Sequence, residues 1–108
     1  VDNFRQQYRL SKIKTFRLNA LSQFNQIHRN TNLSQNHYDF YCNKMITELG
    51  KFRIRASYIE LSFGEIYDFK KLIQDNKQDI IKTNLKAVCI AIDKADISKM
   101  VVSIGFAF

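Results

Sequence analysis

The last twenty-four residues constrain this chain more than any other stretch. "LKAVCIAID" (85–93) and "ISKMVVSIGFAF" (97–108) are apolar runs joined by a short polar turn near "DKAD". Their length and alternation predict two strands of an antiparallel hairpin. In the second run Met100, Val102, Ile104, Phe106 and Phe108 fall on one face, while Val101, Ser103, Gly105 and Ala107 form a small-residue face. The first run is apolar on nearly both faces, which predicts a central strand in a sheet covered on both sides.

Gly105-Phe106-Ala107-Phe108 also matches the middle of the RNA-stacking strand of RRM domains. Two features oppose that reading. Ile104 stands where the signature carries a cation. Stacking rings must face solvent, whereas Phe106 and Phe108 continue the large apolar face. The tetrapeptide is read as core strand.

Upstream, residues 3–28 predict one amphipathic helix. Phe4, Tyr8, Ile13, Phe16, Ala20, Phe24 and Ile27 recur at steps of three to five, with Arg5, Arg9, Lys12, Lys14 and Arg17 mostly off that stripe. "RNTN" (29–32) ends it, because Asn and Thr compete for their own backbone groups. A second helix is predicted from Asn36 to Leu49, with the stripe Tyr38, Tyr41, Cys42, Met45, Ile46 and Leu49 and with Gly50 as a left-handed cap. "KFRIRASY" (51–58) then alternates: Phe52, Ile54, Ala56 and Tyr58 on one side, Lys51, Arg53 and Arg55 on the other. That pattern predicts a strand. The phase slips after Tyr58, to Ile59, Leu61 and Phe63, as a bulge or bend would produce. Ser62-Phe63-Gly64-Glu65 has the form of a capping box opening a third helix, carried by Ile66, Phe69, Leu72 or Ile73, and Ile80, with Asp68 in its first turn and "QDNKQD" (74–79) as a break.

The expected fold class is therefore α+β, one domain over 1–108. Two N-terminal helices precede a small antiparallel sheet of three to four strands, with a third helix before the C-terminal β-hairpin. The 108 residues suffice for one core without metal or crosslink, and no apolar run approaches the ~20 residues of a membrane span. The chain opens at Val1 rather than Met, which points to a processed or excised piece and favours an extracytoplasmic setting.

Charge is unevenly placed. Residues 1–55 hold ten Lys/Arg against three Asp/Glu, and residues 56–108 hold seven of each, so the whole +7 lies in the first half. That half should attract something acidic. The three cations Lys51, Arg53 and Arg55 are the sharpest functional feature, suited to tracking an anion or to guarding a sheet edge. A 26-residue helix would be about 39 Å long, more than the roughly 34 Å diameter of such a globule. Phe4 and Tyr8 would then overhang as a second partner-binding candidate.

Cys42 and Cys89 are a disulfide candidate. A bridge would close the loop 43–88 and contribute roughly 4 kcal/mol; the alternative is two buried thiols. His28 and His37 match no metal-ligand spacing, and neither cysteine has the exposed, cation-flanked setting of a nucleophile. No phosphate loop or hydrolase motif is present. No cofactor, metal or catalytic residue is expected. The sequence predicts a non-catalytic protein-interaction domain, a regulatory or assembly subunit binding a partner protein or itself. The alternative is a nucleic-acid-binding module using the basic first helix and the strand at 51–55.

Overall fold

The computed structural model describes residues 2–28, 34–66, 69–94 and 100–108. The expected helix stop at 29–32, Asp68 in the third helix and the turn residues 95–99 lie outside them. The elements run α1 (Asp2–Gln6), β1 (Lys14–Phe16), α2 (Asn19–His28), α3 (Gln35–Lys51), β2 (Ile59–Ile66), α4 (Phe69–Asp75), α5 (Lys77–Ile80), β3 (Ala87–Lys94) and β4 (Met100–Ala107). The strands form one sheet in the order β1-β3-β4-β2, with β1 parallel to β3 and both other pairings antiparallel. The fold is α+β, with helices preceding the C-terminal β3–β4 hairpin, and β3 is central.

The alternation along β4 decides what covers each face. Its small-residue side meets Ala87, Cys89 and Ala91 of β3 in register with Ala107, Gly105 and Ser103. Small side chains let helices approach closely, and α2 and α3 pack there through Ala20, Leu21, Phe24, Tyr41, Met45 and Leu49. The opposite side carries Val88, Val102, Ile104, Phe106 and Phe108, whose bulk fills a second core; among the described residues Ile13, Phe4, Ile73, Ile80 and Leu85 are laid over it. Phe106 and Phe108 are both buried, each contributing on the order of 1.5–3 kcal/mol. They are core residues, as the alternation predicts.

The first helix departs from the sequence reading. Residues 3–28 are not one helix: α1 ends at Gln6, and the chain passes through β1 before α2 begins. The turn at 8–10 is a Schellman motif, with Leu10 N–H donating to Arg5 O (3.2 Å), Arg9 N–H to Gln6 O (3.0 Å), and Arg9 left-handed at φ 57°. Tertiary contacts hold it there. The Arg5 side chain is fully buried; its Nε donates to Ser11 O (2.9 Å), and its Nη1 donates to Ile80 O (2.7 Å) and Lys82 O (2.9 Å). One guanidinium thus ties the N-terminal segment to the far side of α5.

The strand expected at 51–58 is absent. Gly50 is helical rather than a cap, and α3 runs through it to Lys51. The same Schellman geometry recurs three residues later: Ile54 N–H donates to Leu49 O (3.1 Å), Arg53 N–H to Gly50 O (3.0 Å), and Arg53 takes φ 64°. Ile54 then packs on the core below. Twice, then, an arginine occupies the position usually given to glycine. Nor does Ser62–Glu65 open a helix. Those residues belong to β2, whose eight-residue ladder with β4 outweighs one local cap, and the helix starts at Phe69.

Two polar devices seat the helix pair. Glu48 of α3 accepts from the Asn19 and Ala20 N–H groups (3.0 and 2.8 Å), capping α2 from a neighbouring helix. Asn25 of α2, fully buried, donates to Asp93 Oδ2 (2.9 Å) and Val101 O (3.2 Å) and accepts from Ser103 Oγ (2.7 Å).

Candidate functional site

The sheet has one strongly basic end. β1, β2 and β3 begin there and β4 ends there, because Lys14, Ala87, Ala107 and Ile59 form one row across the four strands. α3 delivers its C-terminus to the same end, where Phe52 packs on Phe16 of β1 at 5.1 Å between ring centroids. Lys14, Lys51, Arg53, Arg55, Lys82 and Lys86 are all exposed there. Their backbone is fixed: Lys86 N–H donates to Ala107 O (2.8 Å), and Lys86 Nζ donates to Arg55 O (2.6 Å). Lys82 pairs with Asp79 at 3.1 Å and lies 4.9 Å from the Phe108 ring centroid. Among the described residues, no ion pair engages Lys14, Lys51, Arg53 or Arg55.

Lys51, Arg53 and Arg55 therefore come together as the sequence suggests, but on a helix end and a turn rather than on a strand face. The structure adds what the alternation hid. Phe52, assigned to the apolar face, is 57% exposed and stands among these cations. Tyr58, 45% exposed, stacks on Phe108 at the other side of the same end. No local pattern signals Phe52, since its exposure follows from the turn at Arg53.

Phe4 and Tyr8 do not join Lys51, Arg53 and Arg55. Phe4 is half-buried against the second core, on the sheet face opposite α3, and Tyr8, 44% exposed, has Lys77 Nζ 5.6 Å from its ring centroid. With no long first helix, the overhang argued from its length has no basis.

Cys42 and Cys89 are not bridged; both are free. Cys89 lies on β3 and Cys42 lines a groove beside β2, with β4 between the two strands. Met45, rather than Cys42, reaches the sheet over Gly105. Burial raises the Cys42 thiol, helped by Asp39 and Glu60. Burial, with Glu48 adding to it, pushes Cys89 up to about 12. Neither is a ready nucleophile.

The consequence is measurable. Above about pH 9 the unfolded chain ionises its thiols while folded Cys89 keeps its proton, so stability is full below that value and falls as pH rises toward 12. Urea midpoints of wild type and Cys89→Ala are expected to converge between pH 9 and 11. A gap independent of pH would refute the assignment.

Among the described residues, no group of three or more His, Cys, Asp or Glu side chains is placed to hold a metal ion. His37 instead shares a hydrogen bond with Ser34 Oγ (2.9 Å). No described helix is long and apolar enough to cross a membrane. Two surface grooves flank α3. One, about 460 Å³, lies over α2 and is lined by Gln23, Phe40, Lys44 and Thr47. The other, about 580 Å³, runs between α3 and β2 past Tyr38, Cys42, Ile46, Ile59 and Leu61. The chain matches no protein-family model, no curated protein and no solved structure.

Proposed function

We propose that this chain is a non-catalytic interaction domain that binds an acidic partner protein through the basic end of its sheet. The observation that carries the reading is the convergence of Lys14, Lys51, Arg53, Arg55, Lys82 and Lys86 on the row where all four strands terminate. A patch of one sign on a rigid frame raises the on-rate of an oppositely charged partner and sets its orientation. Arg53, like Arg9, stands in the left-handed region at a cost on the order of 1 kcal/mol that a glycine would avoid.

A nucleic-acid module is the second reading, favoured by exposed Phe52 amid cations. It has weaker support, because one side of Phe52 already meets Phe16 and Tyr58 is stacked on Phe108. Few ring faces remain for bases.

The test uses a dye-labelled Glu/Asp-rich peptide and labelled single- and double-stranded oligonucleotides, titrated at about 150 mM salt. The peptide is expected to bind and to weaken with added salt. Lys51→Glu/Arg55→Glu should weaken it at least tenfold, and Arg53→Gly severalfold while raising the urea midpoint. Oligonucleotide binding that is tighter and falls linearly on a log–log salt plot would transfer the site to the second reading. Binding of neither probe overturns both.

A further inference from the structure

β2 is the last strand of the sheet order, and its outer edge borders a groove. Tyr58 and Phe108 exchange hydrogen bonds (Tyr58 N–H to Phe108 O, 3.3 Å; Phe108 N–H to Tyr58 O, 3.0 Å). Antiparallel pairing alternates. Glu60 and Ser62 therefore bond inward to β4, and the N–H and C=O groups of Ile59, Leu61 and Phe63 point outward. The side chains of Ile59 and Leu61 turn to the α3 face. There, with Tyr38 and Ile46, they line the groove of about 580 Å³. Natural edge strands are commonly blunted by charged side chains, lysine above all, by proline or by brevity; β2 is eight residues long and contains neither lysine nor proline, its charges being Glu60 and Glu65.

We infer that this groove takes an extended segment of the acidic partner as a fifth strand beside β2, running antiparallel to it. Only an extended backbone meets a row of outward N–H and C=O groups, and alternate apolar side chains of such a strand would enter the groove. Charge selects the occupant. Among the described residues lining the groove only Asp39 is charged; the cations Lys51, Arg53 and Arg55 stand beyond Ser57 and Tyr58, at the end where β2 begins, so any acidic residues belong to the flank and not to the segment inside the groove. A second copy of this chain would bring another net +7, whereas a segment with acidic residues at its C-terminal flank is attracted. The acidic flank rests on the reading of the basic end; the strand addition does not.

The experiment is selection from a random peptide library with an acidic tetrapeptide fixed at the C-terminus, against the wild-type chain. Enriched peptides are expected to alternate apolar and polar residues. Their binding should protect the amides of Ile59, Leu61 and Phe63 from hydrogen exchange. Leu61→Pro removes an outward N–H that the ladder does not use, and should cost at least tenfold in affinity. Ile46→Trp, which fills the groove from α3 and leaves the residues of β2 unchanged, should do the same if Leu61→Pro fails to fold. Binders lost in Lys51→Glu/Arg55→Glu but indifferent to a folded Leu61→Pro or to Ile46→Trp would overturn strand addition and leave the basic end standing. Binders that tolerate the charge reversal but are lost in the groove variants would overturn the acidic flank alone. No enriched peptide, or a dimer of the free chain abolished by Leu61→Pro, would overturn the partner strand outright.

Discussion

Arg5→Ala is expected to destabilise the chain by about 3 kcal/mol. Three carbonyls, of Ser11, Ile80 and Lys82, accept from the Arg5 guanidinium, and the side chain is fully buried. Its burial is itself costly, since desolvating a cation takes several kcal/mol. A comparison with an apolar residue of similar length separates the two contributions. Arg5→Met avoids the buried charge and fills most of the space, yet strands the same carbonyls, so it should lose about half as much. Arg5→Lys should resemble Met rather than wild type, because a single ammonium cannot reproduce the spread of donors from Nε and Nη1. Urea denaturation of the three variants decides it. If Arg5→Met is as stable as wild type, the three hydrogen bonds contribute nothing net, and α1 is held by Phe4 and Ile13 alone.

Arg5 also marks the limit of what the sequence discloses. Periodicity at 3–28 is real: Phe4, Ile13, Phe16, Ala20 and Phe24 are all inward residues. They enter two different cores on opposite faces of the sheet, however, and no local pattern records a side change. The C-terminal hairpin was legible because both of its faces are written in its own residues. Large and small side chains alternate, and each set finds the cover its volume allows. At 50–55, glycine propensity and strict alternation point one way, while the anchoring of Ile54 in the core points the other and prevails. Lys51, Arg53 and Arg55 could be named in advance, as charge is compositional; that Lys82 and Lys86 of the neutral second half join them could not. Phe52 among the cations, Glu48 capping α2 and Asn25 bonded to Ser103 could not, because each depends on a partner far away in sequence or on the turn itself.

Gly105→Val is expected to cost about 3 kcal/mol, whereas Gly105→Ala should be nearly neutral. A Cβ at this position would overlap the terminal methyl of Met45, lie 3.2 Å from Ile59 Cγ2 and 3.7 Å from Cys89 Cβ. The methionine methyl is the free end of an adaptable side chain and can swing aside. Alanine also removes the entropic penalty of glycine in a strand, roughly 0.5–1 kcal/mol. Valine adds two further carbons against Ile59 and Cys89, neither of which has a flexible end to move, and overpacking of this kind costs about 1–3 kcal/mol. The helix must then lift. Met45→Ala alone should cost about 2–4 kcal/mol through the cavity it leaves. In the double variant the valine occupies part of that cavity, so the combined loss should fall short of the sum by at least about 1 kcal/mol. The same contact helps to set the spacing of α3 from β2, because Met45 of α3 and Ile59 of β2, which lines the groove between them, both lie against Gly105. Gly105→Val should therefore shift the amide resonances of Tyr38, Cys42 and Ile46 along α3 and weaken groove binding, while leaving the basic end intact. Strict additivity with unmoved resonances would mean that α3 is positioned by Leu49 and Tyr41 instead, and that the groove keeps its width without the glycine.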